Sequence, residues 1–363
     1  MKTDTADNPV RIDAARARIF IADVLTVLGV NEADARCVAI QMIEADLTGA
    51  DAHGIFRLPQ YASALLLGKI SPTAQPVLSK TGPSTALVDG NNGLGHRIMT
   101  FAAEQAIQIA RETGVAWVGV RRSNHAGAGG VYASMPCAHG MVGIYSAVSG
   151  VNHMAPAGSA EPLIGTNPLA IAVPGPGDAP FVLDIGMSTV ASGVIAAFAL
   201  QGRTMPDGWV IDRVTGKAIT DPRRVNTGLL TSMGGHKGLG LAFMLGLLGG
   251  PLNGAAFGKD IPDFAAGGGF GNNSGHFIVA LDVERFLPLS SFLAVVERQV
   301  DEMTASGHAE GTAGAGIRLP GTERARRRAG RVREGLLMSR ELLDKLDLLA
   351  HQLRISRLEM RSD

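Results

Sequence analysis

The sequence predicts a mixed α/β fold, with a helical N-terminal domain closed by the C-terminal helix and a larger domain built on a sheet. Three observations carry this. Apolar residues recur at three- and four-residue spacing through roughly the first 80 residues. After Pro83 short β-type runs alternate with amphipathic helical stretches. Beyond Arg333 a leucine-rich helical period returns. A chain of 363 residues, 46% hydrophobic and 18% charged, has room for two or three domains and a sizeable core.

The first helix is set by Ala17, Phe20, Ile21, Val24, Leu25 and Leu28, and Gly29 ends it. Asn31 with Asp34 caps a second, whose apolar face is Ala35, Val38, Ala39, Met42 and Ile43. Leu58, Tyr61, Ala62, Leu65 and Leu66 form a third, closed by Gly68. Residues 1–80 are therefore assigned to the helical domain, and Pro72, Pro76 and Pro83 punctuate the link. Residues 81–324 form the sheet domain. Its strands are Thr85–Val88, Val115–Val120, Met141–Val148, Leu169–Val173, Phe181–Asp184 and Phe277–Asp282. Helices cover about 97–113, Lys237–Leu248 and Ser291–Met303. A basic stretch, Arg324–Arg333, leads into a last helix carrying Leu336, Leu337, Leu343, Leu346 and Leu349. Residues 325–363 are expected to return onto the N-terminal helices.

Composition narrows the function classes. A net charge of +0 and few aromatics argue against nucleic acid as a partner. Cys37 and Cys137 form no CxxC pair, which points to a reducing, cytoplasmic setting. The polar start Met1–Asp7 is no signal peptide, and Leu239–Leu248 is too short to span a bilayer. No metal is expected, because the nine histidines are dispersed without zinc-ligand spacing. The dinucleotide fingerprint, the phosphate-loop signature and the nucleophile elbow are all missing.

The most informative stretch is Asp51–Arg57. It places an imidazole that moves protons near neutral pH, His53, four residues before a guanidinium that grips carboxylates, Arg57. On a helix the two would share a face. The alternative is a solvent-facing His and Arg. Ser123–Gly127 leaves a strand with His125 and enters a glycine-rich loop, where backbone N–H groups approach an anion or a flat ring. Gly165–Pro168, with Thr166, and Pro174–Gly175–Pro176 lie between apolar runs. Asp184, emerging from a core strand, needs a partner, and His53 is the one expected. Gly234–Gly238 sets Lys237 and backbone donors at a helix start, which favours an anion such as pyrophosphate. Arg318–Arg324 offers a second phosphate contact or a solvated basic helix start.

In this order, Asp-x-His-Gly-x-x-Arg, Ser-Asn-His-x-Gly, Gly-Thr-Asn-Pro, the Leu-Asp strand end, Gly-Gly-His-Lys-Gly and Leu-Pro-Gly resemble the malate/L-lactate dehydrogenase family. That family consists of NAD(P)-dependent 2-hydroxy-acid oxidoreductases, including ureidoglycolate, sulfolactate and cyclic-imino-acid members. The resemblance implies a homodimer whose NAD(P)-binding domain is not a Rossmann fold but carries a mixed, largely antiparallel sheet. It implies an active-site histidine at His53, a substrate-carboxylate binder at Arg57 and a histidine-orienting carboxylate at Asp184. It places His125 as a proton acceptor or cofactor contact, and Thr166 by the substrate. Ser149, Pro174, Gly175, Pro176, Lys237, Pro320, Gly321 and Arg324 fall near cofactor positions. The chain departs from the family pattern at Ala52, where Ser is usual, at Ser192 and Val194, where cations are usual, and at Gly246, where Glu is usual. The implied reaction is hydride transfer between NAD or NADP and a small 2-oxo or 2-hydroxy acid. Reduction of a cyclic imine such as piperideine- or pyrroline-2-carboxylate is the alternative, and a nucleotide-binding homologue with weakened catalysis is a further one.

Overall fold

A computed structural model describes residues 9–156, 158–177, 179–261, 270–307 and 317–361. The N-terminal helices are α1 (Ala14–Val27), capped by the Asp13 side chain, α2 (Glu32–Leu47), capped by Asn31, and α3 (Leu58–Leu66). The last helix, α10 (Arg340–Leu353), is capped by Ser339. Their apolar faces share one cluster, in which Phe20, Ile21, Leu25, Met42, Ile43, Leu58 and Tyr61 pack with Leu343, Leu346 and Leu349. The chain ends are tied by a two-stranded antiparallel ribbon of β1 (Val10–Ile12) and β11 (Leu336–Met338).

That ribbon corrects one expectation. Leu336 and Leu337 do not belong to the last helix. The basic stretch is itself a helix, α9 (Thr322–Glu334), and Gly335 at φ 89 breaks it. Leu336 and Met338 are then buried while Leu337 is exposed, the two-residue period of a strand.

The sheet has seven strands: β2 (Val77–Lys80), β3 (Thr85–Asp89), β4 (Val115–Ser123), β5 (Met141–Ala147), β6 (Leu169–Val173), β7 (Phe181–Ile185) and β10 (Ser274–Asp282). Their spatial order is β2-β3-β4-β10-β5-β6-β7. Only β3 and β4 run parallel among them, crossed over by α4 (Gly95–Thr113). The sheet is therefore mixed and largely antiparallel. Alternation along the strands builds two faces. Val118, Val120, Ile278 and Ala280 face Ile98, Ala102 and Ala106 of α4. Trp117, Ile144 and Val279 join Phe277 on the other face, where Trp117 and Phe277 stack at 4.4 Å. This second face is covered by α6 (Ser192–Leu200), by a ribbon of β8 (Val210–Asp212) and β9 (Gly228–Leu230), and by α7 (His236–Gly249). The short helix α5 (Gly129–Ser134) follows the Ser123–Gly127 loop, and α8 (Leu289–Thr304) follows β10.

Candidate active site

His53 and Arg57 sit where the helical cluster meets the sheet. The segment is not one helix: two short 3-10 turns, Asp51–His53 and Ile55–Arg57, meet at Gly54. The shared helical face expected for His53 and Arg57 therefore does not form. The non-helical backbone at Gly54 (φ −94°, ψ −141°) breaks the helical path between them. The His53 N–H still bonds to Ala50 O at 2.8 Å, and the Arg57 N–H to Gly54 O at 3.0 Å.

The His125 loop meets this turn. The rings of His53 and His125 stack, centroids 5.7 Å apart and planes at 17°. Tyr61, on α3, places its hydroxyl 2.6 Å from His125 Nδ1. The Gly127 N–H points at the same nitrogen, at 3.4 Å. An N–H can only donate, so Nδ1 is an acceptor and the neutral ring carries its proton on Nε2. His96, in the first turn of α4, packs edge-on against Tyr61 at 5.2 Å. It is 1% exposed, and neither of its ring nitrogens has a partner among the described residues.

All three imidazoles are held neutral. Burial, then the Arg57 charge, lowers His53 to about 4. Burial, then His53, lowers His96 to about 3. Burial and Arg57 push His125 well below its ordinary value. Arg57 donates its Nε to Ala52 O (2.8 Å) and Nη1 to Gln60 Oε1 (2.7 Å). Among the described residues no carboxylate pairs with it, so one permanent cation faces the imidazoles.

Asp184 is not the partner of His53. Its Oδ2 accepts the Gly130 N–H at 2.8 Å and pairs with Arg324 Nη1 at 3.6 Å, and no hydrogen bond or ion pair joins it to His53. Burial raises its carboxyl, against the pull of that N–H and of Arg324. The need for a partner was legible; the partner is Arg324. Arg324 is in turn committed to a carboxylate rather than standing free for phosphate.

The remaining candidates line two stretches. Ser149 Oγ and Thr166 Oγ1 are 3.1 Å apart, and the Met187 N–H bonds to Thr166 O at 2.7 Å. From there the chain runs beside the entry to α7, where the Met233 N–H bonds to Met187 O at 2.9 Å. Lys237 is exposed in the first turn of α7, beside a groove of about 320 Å³ lined by Met233, Gly234, Gly238 and Leu241. Gly234 and Gly235, at φ 60 and 62, leave open space where side chains would stand. The same chain then reaches α6, whose Gly193 faces Ala52 at 3.9 Å from its Cβ position. The start of α6, which carries Ser192 and Val194, thus comes up against Ala52, the residue before His53. The second stretch gathers round Phe181, against which both Gly175 and Gly321 pack, bringing Pro174–Pro176 and Pro320–Gly321 to one sheet edge.

Two residues of the site escaped the sequence reading. Tyr61 was legible only as a core-facing aromatic of α3. His96 carried a signal, an imidazole on the apolar inner face of a helix, but nothing in the sequence placed it beside His53.

Over residues 12–347 the chain matches the family described as malate/L-lactate dehydrogenase. It is 36% identical over 308 residues to the malate dehydrogenase of Pyrococcus horikoshii, covering 83% of this chain and 84% of that one. It is 34% identical to a Delta(1)-pyrroline-2-carboxylate reductase of Burkholderia multivorans, covering 89% and 92%. The solved structure of the Pyrococcus horikoshii malate dehydrogenase superposes with a TM-score of 0.87 at 32% identity, covering 97% and 98%.

Proposed function

The chain belongs to the malate/L-lactate dehydrogenase family of oxidoreductases, and from that premise we propose that it moves a hydride between NAD(P)H and C2 of a small 2-oxo or 2-hydroxy acid. The observation that carries this reading is Arg57, a cation with no carboxylate partner among the described residues, facing two stacked neutral imidazoles. A monocarboxylate docked on its remaining N–H donors would bring C2 and its oxygen toward His53 and His125.

The geometry suggests separate tasks. His125, its Nδ1 held by Tyr61, offers its Nε2–H to orient the carbonyl oxygen. His53, whose ring has no hydrogen-bond partner among the described residues, exchanges the proton of the developing alkoxide. Burial and then Arg57 depress His53. A substrate carboxylate neutralises the second of these causes, so binding raises the basicity of His53 when reduction needs an acid. Asp184 serves the site indirectly, bracing α5 and the His125 loop through Gly130.

The nicotinamide supplies or takes the hydride when bound. The residues present fit a dinucleotide: Gly234 and Gly235 leave backbone open beside Lys237, which suits pyrophosphate at the start of α7. Ser149 and Thr166 border the same wall, and Pro174–Pro176 with Pro320 and Gly321 offer a second contact. Exposed Leu241, Phe243 and Met244 on α7 support a homodimer, and two free thiols suit the cytoplasm. Likeness to a pyrroline-carboxylate reductase favours a second reading, reduction of a cyclic imine held by the same carboxylate grip.

The test is nicotinamide absorbance with NADH and NADPH against 2-oxo acids and cyclic imines, for the wild type, His53→Ala and His125→Ala. A 2-oxo acid should be turned over, and His53→Ala should lower kcat about 10²-fold or more. Turnover of cyclic imines alone selects the second reading. Full turnover by His53→Ala with loss in His125→Ala reverses the two roles.

A further inference from the structure

Asp46 lies in the last turn of α2, where the helix dipole disfavours a negative charge, and it is 5% exposed. Burial there is costly for a carboxylate without compensation. Its compensation is specific. Oδ2 accepts the Ile55 N–H at 2.8 Å. Gly54 packs so closely on the carboxylate that any Cβ at 54 would coincide with it. Gly54 and Ile55 are the junction of the two 3-10 turns, with His53 on one side and Arg57 two residues beyond on the other. Arg331 of α9 closes the mount from outside, donating to the Asp46 carbonyl and to the Asp51 carboxylate. Arg328 of the same helix pairs with Glu44 at 2.7 Å.

We propose that Asp46 is a positioning residue: its side chain clamps the Gly54–Ile55 junction and so fixes the separation and aim of His53 and Arg57. The inference rests on the roles given above to those two residues. It also gives the basic helix α9 a task, which is to brace the turn from outside. Burial raises the Asp46 carboxyl to about 8, and the nearby Asp51 charge adds to this, while Ile55 and Arg331 oppose it. A neutral acceptor therefore serves the clamp, and Asn is the conservative substitute.

The experiment compares full-length wild type, Asp46→Ala, Asp46→Asn and Gly54→Ala in steady-state turnover of a 2-oxo acid. It adds hydrogen exchange of the 53–57 amides and NAD(P)H binding by fluorescence. Asp46→Ala should lower kcat/KM about 100-fold, through both kcat and KM. Exchange at Ile55 should quicken while NAD(P)H affinity holds. Asp46→Asn should recover kcat/KM to within about fivefold of wild type, since its amide oxygen still accepts the Ile55 N–H. Gly54→Ala should mimic Asp46→Ala, and it keeps the test alive if that variant does not fold. Asp46→Ala within about threefold of wild type, with exchange unchanged, overturns the proposal, as does an Asp46→Asn variant as damaged as Asp46→Ala. If His53→Ala and Arg57→Ala both keep full turnover, the reading of the site falls instead, and the exchange data still report on the clamp.

Discussion

The buried imidazoles should make this protein acid-labile by an amount that can be worked out. His96 is 1% exposed, and burial, then His53, lowers it from 6.5 to about 3. A folded pKa below the unfolded one means that the native state binds fewer protons, so stability falls as pH falls. The loss begins near the unfolded value of 6.5 and continues down through the folded value of about 3. Between pH 7 and pH 5 an unfolded histidine goes from about one-quarter to almost fully protonated, while the native His96 stays neutral. That costs about 2 kcal/mol of stability, and any folded pKa below about 4 gives nearly the same figure. His276 is 2% exposed and lowered by burial to about 4, and adds a similar loss. The measurement is Tm by circular dichroism at pH 7 and pH 5 for wild type and His96→Gln, which keeps a polar side chain but cannot titrate. For a chain of 363 residues the variant should shed roughly 2–3 °C of the acid-induced drop in Tm. A drop of the same size in both proteins would refute a neutral, buried His96.

Two further outcomes follow from the packing. Tyr61→Phe removes the 2.6 Å partner of His125 Nδ1 and leaves only the 3.4 Å Gly127 N–H. Stability should drop by about 1–3 kcal/mol in urea unfolding. Turnover should fall with it because the ring loses the short hydrogen bond that holds its orientation, and unchanged kcat would count against a working His125. Gly246→Ala would set a methyl against the Phe257 ring and 2.7 Å from Asn167 Nδ2. It should cost about 1–3 kcal/mol as an overpacked contact, and an unchanged Tm would show that Phe257 gives way.

Periodicity was legible because it is local. Asn31 caps α2, Gly114 ends α4 at φ 87, and Val118 and Val120 alternate with Trp117, all within a few residues of the signal that marks them. The exceptions have equally local causes that the apolar pattern masks. Leu336 and Leu337 look helical in spacing, but Gly335 resets the backbone and β1 supplies a strand to pair with. His53 and Arg57 look like one helical face until Gly54 is pressed against Asp46.

Site residues are less legible because their partners are distant in the chain. Asp184 shows the limit most sharply. A carboxylate at the end of a core strand must be paired, and sequence alone made His53 the natural candidate because both residues fit one chemistry. The pairing is decided instead by α9, which crosses the sheet edge so that Gly321 packs on Phe181 and Val182 and Arg324 reaches Asp184. One guanidinium cannot serve a buried carboxylate and a free phosphate equally. On the proposed reading the pyrophosphate charge falls to exposed Lys237 and the open backbone at Gly234 and Gly235. Among the described residues His53 pairs with no carboxylate, and Arg57 is the charge that lowers it. On the proposed reading, substrate binding is the event that changes its basicity, which ties the acid–base step to occupancy of the carboxylate site.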